Sequence, residues 1–351
     1  MPSRDRPLPA AVHVSVEPLR PVEQLGLALV RLFYDPTDRP FSIQVDHLLS
    51  WREEQLFLQP LQAPAGLMPV SYGGVLDPAG RLVLAESLRT DSGAVLKPTA
   101  ALEGASLRRI DLVSGAESRL GYARELGGPA ALVPAPGPDG SSTAIAESVR
   151  RTTQDARGWA PTTLLSLAQG DARPQPVFEL ENTTLASRTD DLPLQWSPDG
   201  QRLALAAHDL DDVWPSVQIL DLSSGVQMKH HDMILMGSMS WSPDGNLLLL
   251  ASARNDIAHV LHVSSGRVEP LAAVPRPRPE TGPGPRPYGF LTNDRLLIGS
   301  RRGGTLTASA LHLGTGTVEP LLRWTAGPDP MPIFARHALS EWLSRTGRLR
   351  P

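Results

Sequence analysis

Cysteine is absent from the chain, which excludes disulfides, thiolate nucleophiles and thiolate-ligated metals. Lysine is nearly absent as well: of 33 basic residues only Lys97 and Lys229 are lysines, so arginine carries the positive charge. Neither sign of charge dominates. A formal net charge of −4 over 351 residues offers no electrostatic footprint for nucleic acid or for insertion at an anionic membrane. Long hydrophobic runs are missing too. The most apolar stretch, 25–33, is too short to cross a bilayer as a helix and contains Arg31. Residues 1–16 hold early arginines, no uninterrupted apolar segment and no small-residue cleavage site, so a secretory signal is not expected and a cytoplasmic location is.

What is plentiful is turn chemistry. The 35 prolines and 30 glycines make up almost a fifth of a chain that is 41% hydrophobic and 20% charged. That mixture describes a folded protein of short strands and frequent turns, not of long helices.

The chain also repeats itself. Leu194-Gln-Trp-Ser-Pro-Asp-Gly200 and Met239-Ser-Trp-Ser-Pro-Asp-Gly245 are each followed by an apolar run, Gln201-Arg-Leu-Ala-Leu-Ala-Ala207 and Asn246-Leu-Leu-Leu-Leu-Ala-Ser252. Each reads as a strand ending in Trp, a tight turn and a second strand: proline presets φ, aspartate bonds its own backbone, and glycine accepts φ > 0. Weaker copies stand at Gly74-Val-Leu-Asp-Pro-Ala-Gly80, Pro136-Gly-Pro-Asp-Gly140 and Leu291-Thr-Asn-Asp294. A second recurring element follows each turn, as in Leu220-Asp-Leu-Ser-Ser-Gly225, Leu261-His-Val-Ser-Ser-Gly266 and Leu311-His-Leu-Gly-Thr-Gly316. It reads as a third strand and a hairpin into a fourth. Two fourth strands share a string, Val268-Glu-Pro-Leu271 and Val318-Glu-Pro-Leu321, whose proline suits a sheet edge.

A four-stranded antiparallel unit recurring at this period predicts a β-propeller blade. The Trp-Ser-Pro-Asp-Gly pentapeptides at 196–200 and 241–245 resemble the signature of TolB-type WD40-like repeats. Such repeats also build the propellers of prolyl-oligopeptidase-family peptidases. The resemblance implies an all-β propeller of four-stranded antiparallel blades, six or seven in number, and implies little about chemistry.

The organisation expected is a closing strand and a degenerate blade in 1–70, five recognisable blades in 71–324, and a strand or short helix closing or capping the ring in 325–351. Val12-His-Val-Ser-Val-Glu-Pro-Leu19 contains the string of the fourth strands, so it is expected as an outer strand completing a blade with C-terminal partners. Residues 27–35, 41–48 and 55–61 would form the degenerate blade, and 338–345 has helical spacing.

No catalytic, cofactor-binding or metal-binding residue stands out. His262 and His312 share a repeat position with Asp111, Ser166 and Asp221, on the third strand and away from the channel. His230 and His231 are adjacent on a strand and face opposite ways. The acidic run 208–212 lacks the spacing and glycine of a calcium loop. No Gly-x-Ser-x-Gly elbow or phosphate-binding glycine loop is present. The stretch 275–287, rich in Pro and Arg, reads as a rigid spacer or as a ligand for a proline-reading groove.

The repeat also orients a binding surface. Turns joining the first to the second strand and the third to the fourth lie on one face of the disc, leaving the longer, variable connections on the other. The second-to-third-strand loops are expected at 86–106, 147–159, 208–215, 252–256 and 300–304. They carry Arg89, Arg150, Arg151, Trp159, Trp214, Arg254 and Arg301, of the residue types that most often dominate interfaces. The leading expectation is a non-enzymatic scaffold binding another protein or a peptide through this loop face. Two alternatives stay open: a small-ligand binder or lyase-like enzyme using the channel, and a TolB-like envelope factor, which would need export.

Overall fold

The computed structural model describes residues 14–18, 28–34, 43–52, 55–60, 67–76, 81–88, 105–111, 116–124, 132–152, 159–185, 194–209, 215–225, 227–230, 239–251, 258–271, 286–302 and 305–326. Among them there are strands and turns and no helix. The region 338–345 lies outside the described residues.

The strands fall into six antiparallel sheets. After β1 (Val14–Pro18), blade 1 has three strands: β2 (Ala28–Tyr34), β3 (Ile43–Arg52) and β4 (Gln55–Pro60). Blade 2 comprises β5 (Leu67–Leu76), β6 (Arg81–Leu88), β7 (Ala105–Asp111) and β8 (Glu117–Arg124). Blade 3 comprises β9 (Leu132–Pro136), β10 (Ser142–Thr152), β11 (Trp159–Gln169) and β12 (Gln175–Glu181). Asn182, at φ 55°, turns the chain directly into blade 4. There β13 (Thr183–Leu185) and β14 (Leu194–Trp196) both pair with β15 (Arg202–Asp209), one beyond the other along its inner edge. The outer strands are β16 (Ser216–Asp221) and β17 (Gln227–His230). Blade 5 is β18 (Met239–Trp241), β19 (Leu247–Ala251), β20 (Ala258–His262) and β21 (Arg267–Pro270). Blade 6 is β22 (Arg286–Thr292), β23 (Arg295–Arg302), β24 (Thr305–His312) and β25 (Val318–Ala326), with β1 added outside β25.

The N-terminal strand therefore pairs with the C-terminal one, Val14 opposite Ala326 and Pro18 opposite Leu322. It does not complete a blade: blade 6 already has four strands, and β1 is a fifth. The innermost strands contact one another in succession, β2 with β5, then β9, β14, β18 and β22. Between blades lies the core. One cluster joins blades 3 and 4 (Val133, Ala146 and Leu165 with Leu194, Leu203 and Leu205), and a second joins blades 4 and 5 (Val217 and Ile219 with Trp241, Leu248 and Leu261). A third joins blades 5 and 6 through Leu249, Phe290, Leu296 and Ile298.

The Pro-Asp-Gly turns explain why their sequence recurs. Gly200 N–H donates to Ser197 C=O, Ser197 N–H donates to Arg202 C=O, and Ser197 Oγ accepts the Arg202 N–H at 2.9 Å. Asp199 accepts the Gln201 N–H and the Ser197 hydroxyl. Residues 242–247 repeat this arrangement group for group. In blade 3 Gly137 replaces the serine, and Asp139 compensates by accepting both the Ser141 and Ser142 N–H groups at 3.0 Å. The turn survives there because one carboxylate takes over the missing hydroxyl's acceptor role.

Gly200 sits at φ 69°, and a Cβ there would meet Pro138 Cγ at 3.4 Å, an ordinary contact. The left-handed backbone alone therefore sets the cost, and Gly200→Ala is expected to lose about 1–2 kcal/mol of stability, read from chemical denaturation. A neutral result would show that the turn relaxes out of this conformation.

Candidate functional site

The two ends of the blades differ in how their polar groups are used. At the turn end of blades 3 to 6 the third-to-fourth-strand turn is tied to the first-to-second-strand turn of its own blade: Gly170 N–H donates to Ser141 C=O, Leu222 to Gln201, Val263 to Asn246 and Leu313 to Asp294. Adjacent blades are tied there as well. The Asp244 N–H donates to Asn293 Oδ1 at 3.1 Å. Arg202 donates to Gly245 C=O at 3.2 Å and to Asp199, and its guanidinium lies 5.4 Å from the Trp241 ring centre. Arg109, buried on β7, reaches into blade 3 to donate to Gly170 C=O, Asp171 and Thr143. These groups serve as scaffold.

The polar groups on the innermost strands are likewise committed between blades. Trp196 Nε1–H donates to Ala135 C=O at 2.7 Å, and Trp241 Nε1–H donates to Gln195 C=O at 3.4 Å. The Gln195 amide donates to Met239 C=O at 2.7 Å, and Ser240 Oγ accepts the Phe290 N–H at 3.1 Å. Among the described residues no group of three or more histidines and carboxylates is placed to hold a metal ion. His262 and His312 end β20 and β24, each facing a fourth-strand glutamate, Glu269 at 3.6 Å and Glu319 at 3.9 Å.

At the opposite end the second-to-third-strand hairpins differ in length. From equivalent starting pairs, β15 and β16 pair over six residues, Arg202↔Asp221 to Ala207↔Ser216, and β19 and β20 over five. In blade 3, β10 and β11 pair over eleven, Ser142↔Gln169 to Thr152↔Trp159. At about 3.3 Å per residue the paired ladder of blade 3 is roughly 15–20 Å longer than these two. Its base is held firmly. Ser148 Oγ accepts the Leu185 N–H, and Thr163 Oγ1 donates to Thr183 C=O, with Ser148, Thr163 and Thr183 all buried. Glu147, also buried, belongs to this base.

Strand boundaries correct the expected loops. Glu86, Glu147, Arg150, Arg151, Trp159 and Arg301 lie on strands, because the second and third strands pair farther out than alternation in the sequence implies. The hairpin of blade 3 brings three expected residues together: Arg150 stands opposite Pro161, Arg151 opposite Ala160, and Trp159 opposite Thr152. Arg301 is on β23, opposite Leu306. Arg89, Trp214 and Arg254 lie outside the described residues. Arg286, within the stretch 275–287, and Arg302, within the expected connection 300–304, are placed on β22 and β23 at the loop end of blade 6.

No protein-family model matches the chain, and no curated protein matches its sequence. Solved structures do. TolB from Acinetobacter baumannii is similar with a TM-score of 0.50 at 12% identity, over 88% of this chain and 66% of that one. The fold is a TolB-like β-propeller. The chain spans just under two thirds of that TolB's length. The propeller domain of the Trilobed protease from Pyrococcus furiosus gives a TM-score of 0.45 at 11% identity, covering 74% of this chain and 72% of that one. An oligogalacturonate lyase in complex with manganese gives 0.40 at 15%, covering 91% and 95%. At such identities the likeness speaks for the propeller alone, since one fold hosts many functions.

Proposed function

We propose that this propeller is a non-enzymatic scaffold that binds another protein, or an extended peptide of one, through its loop end. The observation that carries the reading is the blade 3 ladder of the second and third strands, which is longer than those of blades 4 and 5 and has Arg150, Arg151 and Trp159 among its last pairs. A rigid base supporting an Arg/Trp tip is the arrangement expected of an interface anchor: the base limits the ordering cost of association, and those side chains bring large contact area with directional donors. The turn end supports the same orientation, because its backbone and aspartate groups are already engaged within the ring.

The test places a photo-crosslinking amino acid at Trp159 in the native host, identifies the captured protein, and reconstitutes the complex from purified components. Arg150→Ala/Arg151→Ala/Trp159→Ala is expected to weaken that complex by at least about tenfold, since anchor truncations commonly cost 2 kcal/mol or more. Thr315→Ala, on an exposed turn at the other end, is expected to leave it unchanged. Equal weakening by both, or no effect of the hairpin substitutions, would sink the reading.

A further inference from the structure

The ring is joined unevenly. Its innermost strands lie close together in succession, β2 with β5, then β9, β14, β18 and β22, and there the succession stops. Among the described residues β22 and β2 make no comparable approach. Blades 6 and 1 are brought together by β1 instead, which pairs with β25 of blade 6 and approaches β4 of blade 1. The chain itself also joins β1 to blade 1, since β2 is the next strand after it.

No sheet needs β1 for its completion. Blade 6 has its four strands in β22 to β25, and β1 is added outside the last of them, paired on one side. Its ladder with β25 is five residues long, Val14↔Ala326 to Pro18↔Leu322, and Pro18 brings no N–H to it. The next ladder inward is longer, running from Thr305↔Thr325 to Leu311↔Val318. A strand held along one edge by so short a ladder detaches at a smaller free-energy cost than strands held along both.

We propose that β1 is a detachable clasp. Paired with β25 it fastens blade 1 to blade 6; released, it lets those two blades part while blades 3 to 6 stay packed. The second half follows from the core. Apolar clusters join blade 3 to 4, 4 to 5 and 5 to 6, so those seams hold whether or not β1 is in place. Blade 1 then stays attached through blade 2, where β2 approaches β5. The ring thus has a fastened and an unfastened form, and whatever draws residues 14–18 off β25 shifts it to the second. The clasp is independent of the blade 3 hairpin, which belongs to another part of the ring.

The absence of cysteine makes the clasp testable in the full chain. Residues opposite one another in an antiparallel ladder have Cα atoms about 4.5 or 5.5 Å apart, within the span of a disulfide. Ser15→Cys/Thr325→Cys, oxidised with glutathione disulfide, is therefore expected to form a bond within one chain. Hydrogen exchange read by mass spectrometry then compares the oxidised and reduced forms. The bond is expected to slow exchange in β1 and in β2 to β4 by at least about tenfold. Ser15→Pro/Val16→Pro makes the opposite change: neighbouring N–H groups on a strand point to opposite edges, so one of the two faces β25 whatever the phase of the ladder. It is expected to speed exchange in β2 to β4 by at least about tenfold, and to leave the buried strands at 203–207 and 248–250 within about twofold. If that variant fails to fold, the oxidised and reduced forms of the cysteine variant decide alone. A covalent dimer in place of the internal bond, or no bond at all, would overturn the clasp. So would faster exchange in every blade alike, or a blade 1 that exchanges at one rate in all the forms.

Discussion

Trp241→Ala is expected to destabilise the propeller by about 3–5 kcal/mol, more than any surface change at either end, because a buried indole is lost from a seam that has little else to fill it. The ring is 7% exposed and belongs to the cluster joining blades 4 and 5, among Ile219, Leu248, Leu250 and Leu261. Four small or linear side chains of that cluster, Ala204, Ala206, Met239 and Val263, cannot expand into the vacated volume without shifting strands. Two further losses accompany the cavity. Gln195 C=O gives up its indole donor, and the Arg202 guanidinium gives up the ring face 5.4 Å away. Trp241→Phe separates these contributions: it keeps an aromatic ring in the cavity and removes only the N–H and part of the volume, for about 1–2 kcal/mol. Both are read from urea denaturation with a fluorescence probe and a far-ultraviolet probe, since a propeller of several blades need not unfold in one step. Equal costs for Ala and Phe would show that the hydrogen bond, not the packing, holds the seam. A cycle with Arg202→Ala is expected to show coupling of about 0.5–2 kcal/mol, because the two side chains touch across blades.

The signature tryptophan thus has a role that its local sequence only half discloses. Trp-Ser-Pro-Asp-Gly is legible as a turn because every bond in the turn joins residues within five positions of one another. The indole's partner is not legible in that way: Ala135 lies 61 residues from Trp196, and Gln195 lies 46 from Trp241. The same distinction accounts for Arg109. In Arg108-Arg109-Ile110-Asp111 it reads as a solvated strand residue, yet it is 5% exposed because blade 3 presents Thr143, Gly170 and Asp171 to it. Contacts between blades depend on the geometry of the ring, and no local pattern carries them.

The edge strand shows another limit. Val-Glu-Pro-Leu at 16–19 matches the fourth strands of blades 5 and 6, and it does mark an outer strand. What the string encodes is tolerance of an edge, proline included. It does not encode which sheet is joined or in what place, and β1 lies outside a sheet that already has its fourth strand. Loop boundaries failed for a related reason. Residues 147–152 alternate poorly, so they read as connection, whereas Glu147, Ser148 and Thr163 are buried polar groups held in register by the strand across from them. Arg150, Arg151 and Trp159 were singled out by residue type, and the buried polar groups beneath them came from the structure, since a buried polar base has no apolar periodicity to announce it.

Acid should weaken this fold earlier than its apolar core implies, and the aspartates of the turns are the reason. Hydrogen bonds from the Ser141 hydroxyl and the Ser142 N–H hold the Asp139 carboxyl down to about 2, against 3.8 for the ordinary group. The Ser223 hydroxyl and the Ser224 N–H bring Asp221 likewise to about 2. Asp244 and Asp294 are lowered chiefly by the hydroxyls of Ser242 and Thr292. In Asp199 burial pushes upward, and the Ser197 hydroxyl, the Gln201 N–H and Arg202 together outweigh it, so it too is lowered. A carboxyl whose folded value lies below its unfolded one stabilises the fold fully above the unfolded value, and that contribution disappears as pH falls through the folded one. All five shifts have the same sign, so their losses fall together between about pH 4 and about pH 2. The urea midpoint is therefore expected to hold steady above this window and to drop steeply inside it. Asp199→Asn/Asp244→Asn is expected to lower the midpoint at neutral pH and to flatten the acid slope, because two of the groups that release the stabilisation no longer titrate. The sharpest control is the position of the slope: a midpoint that begins to fall well above pH 4, or a double variant with an unchanged acid slope, would assign the acid sensitivity to other groups and leave the turns' carboxylates as spectators.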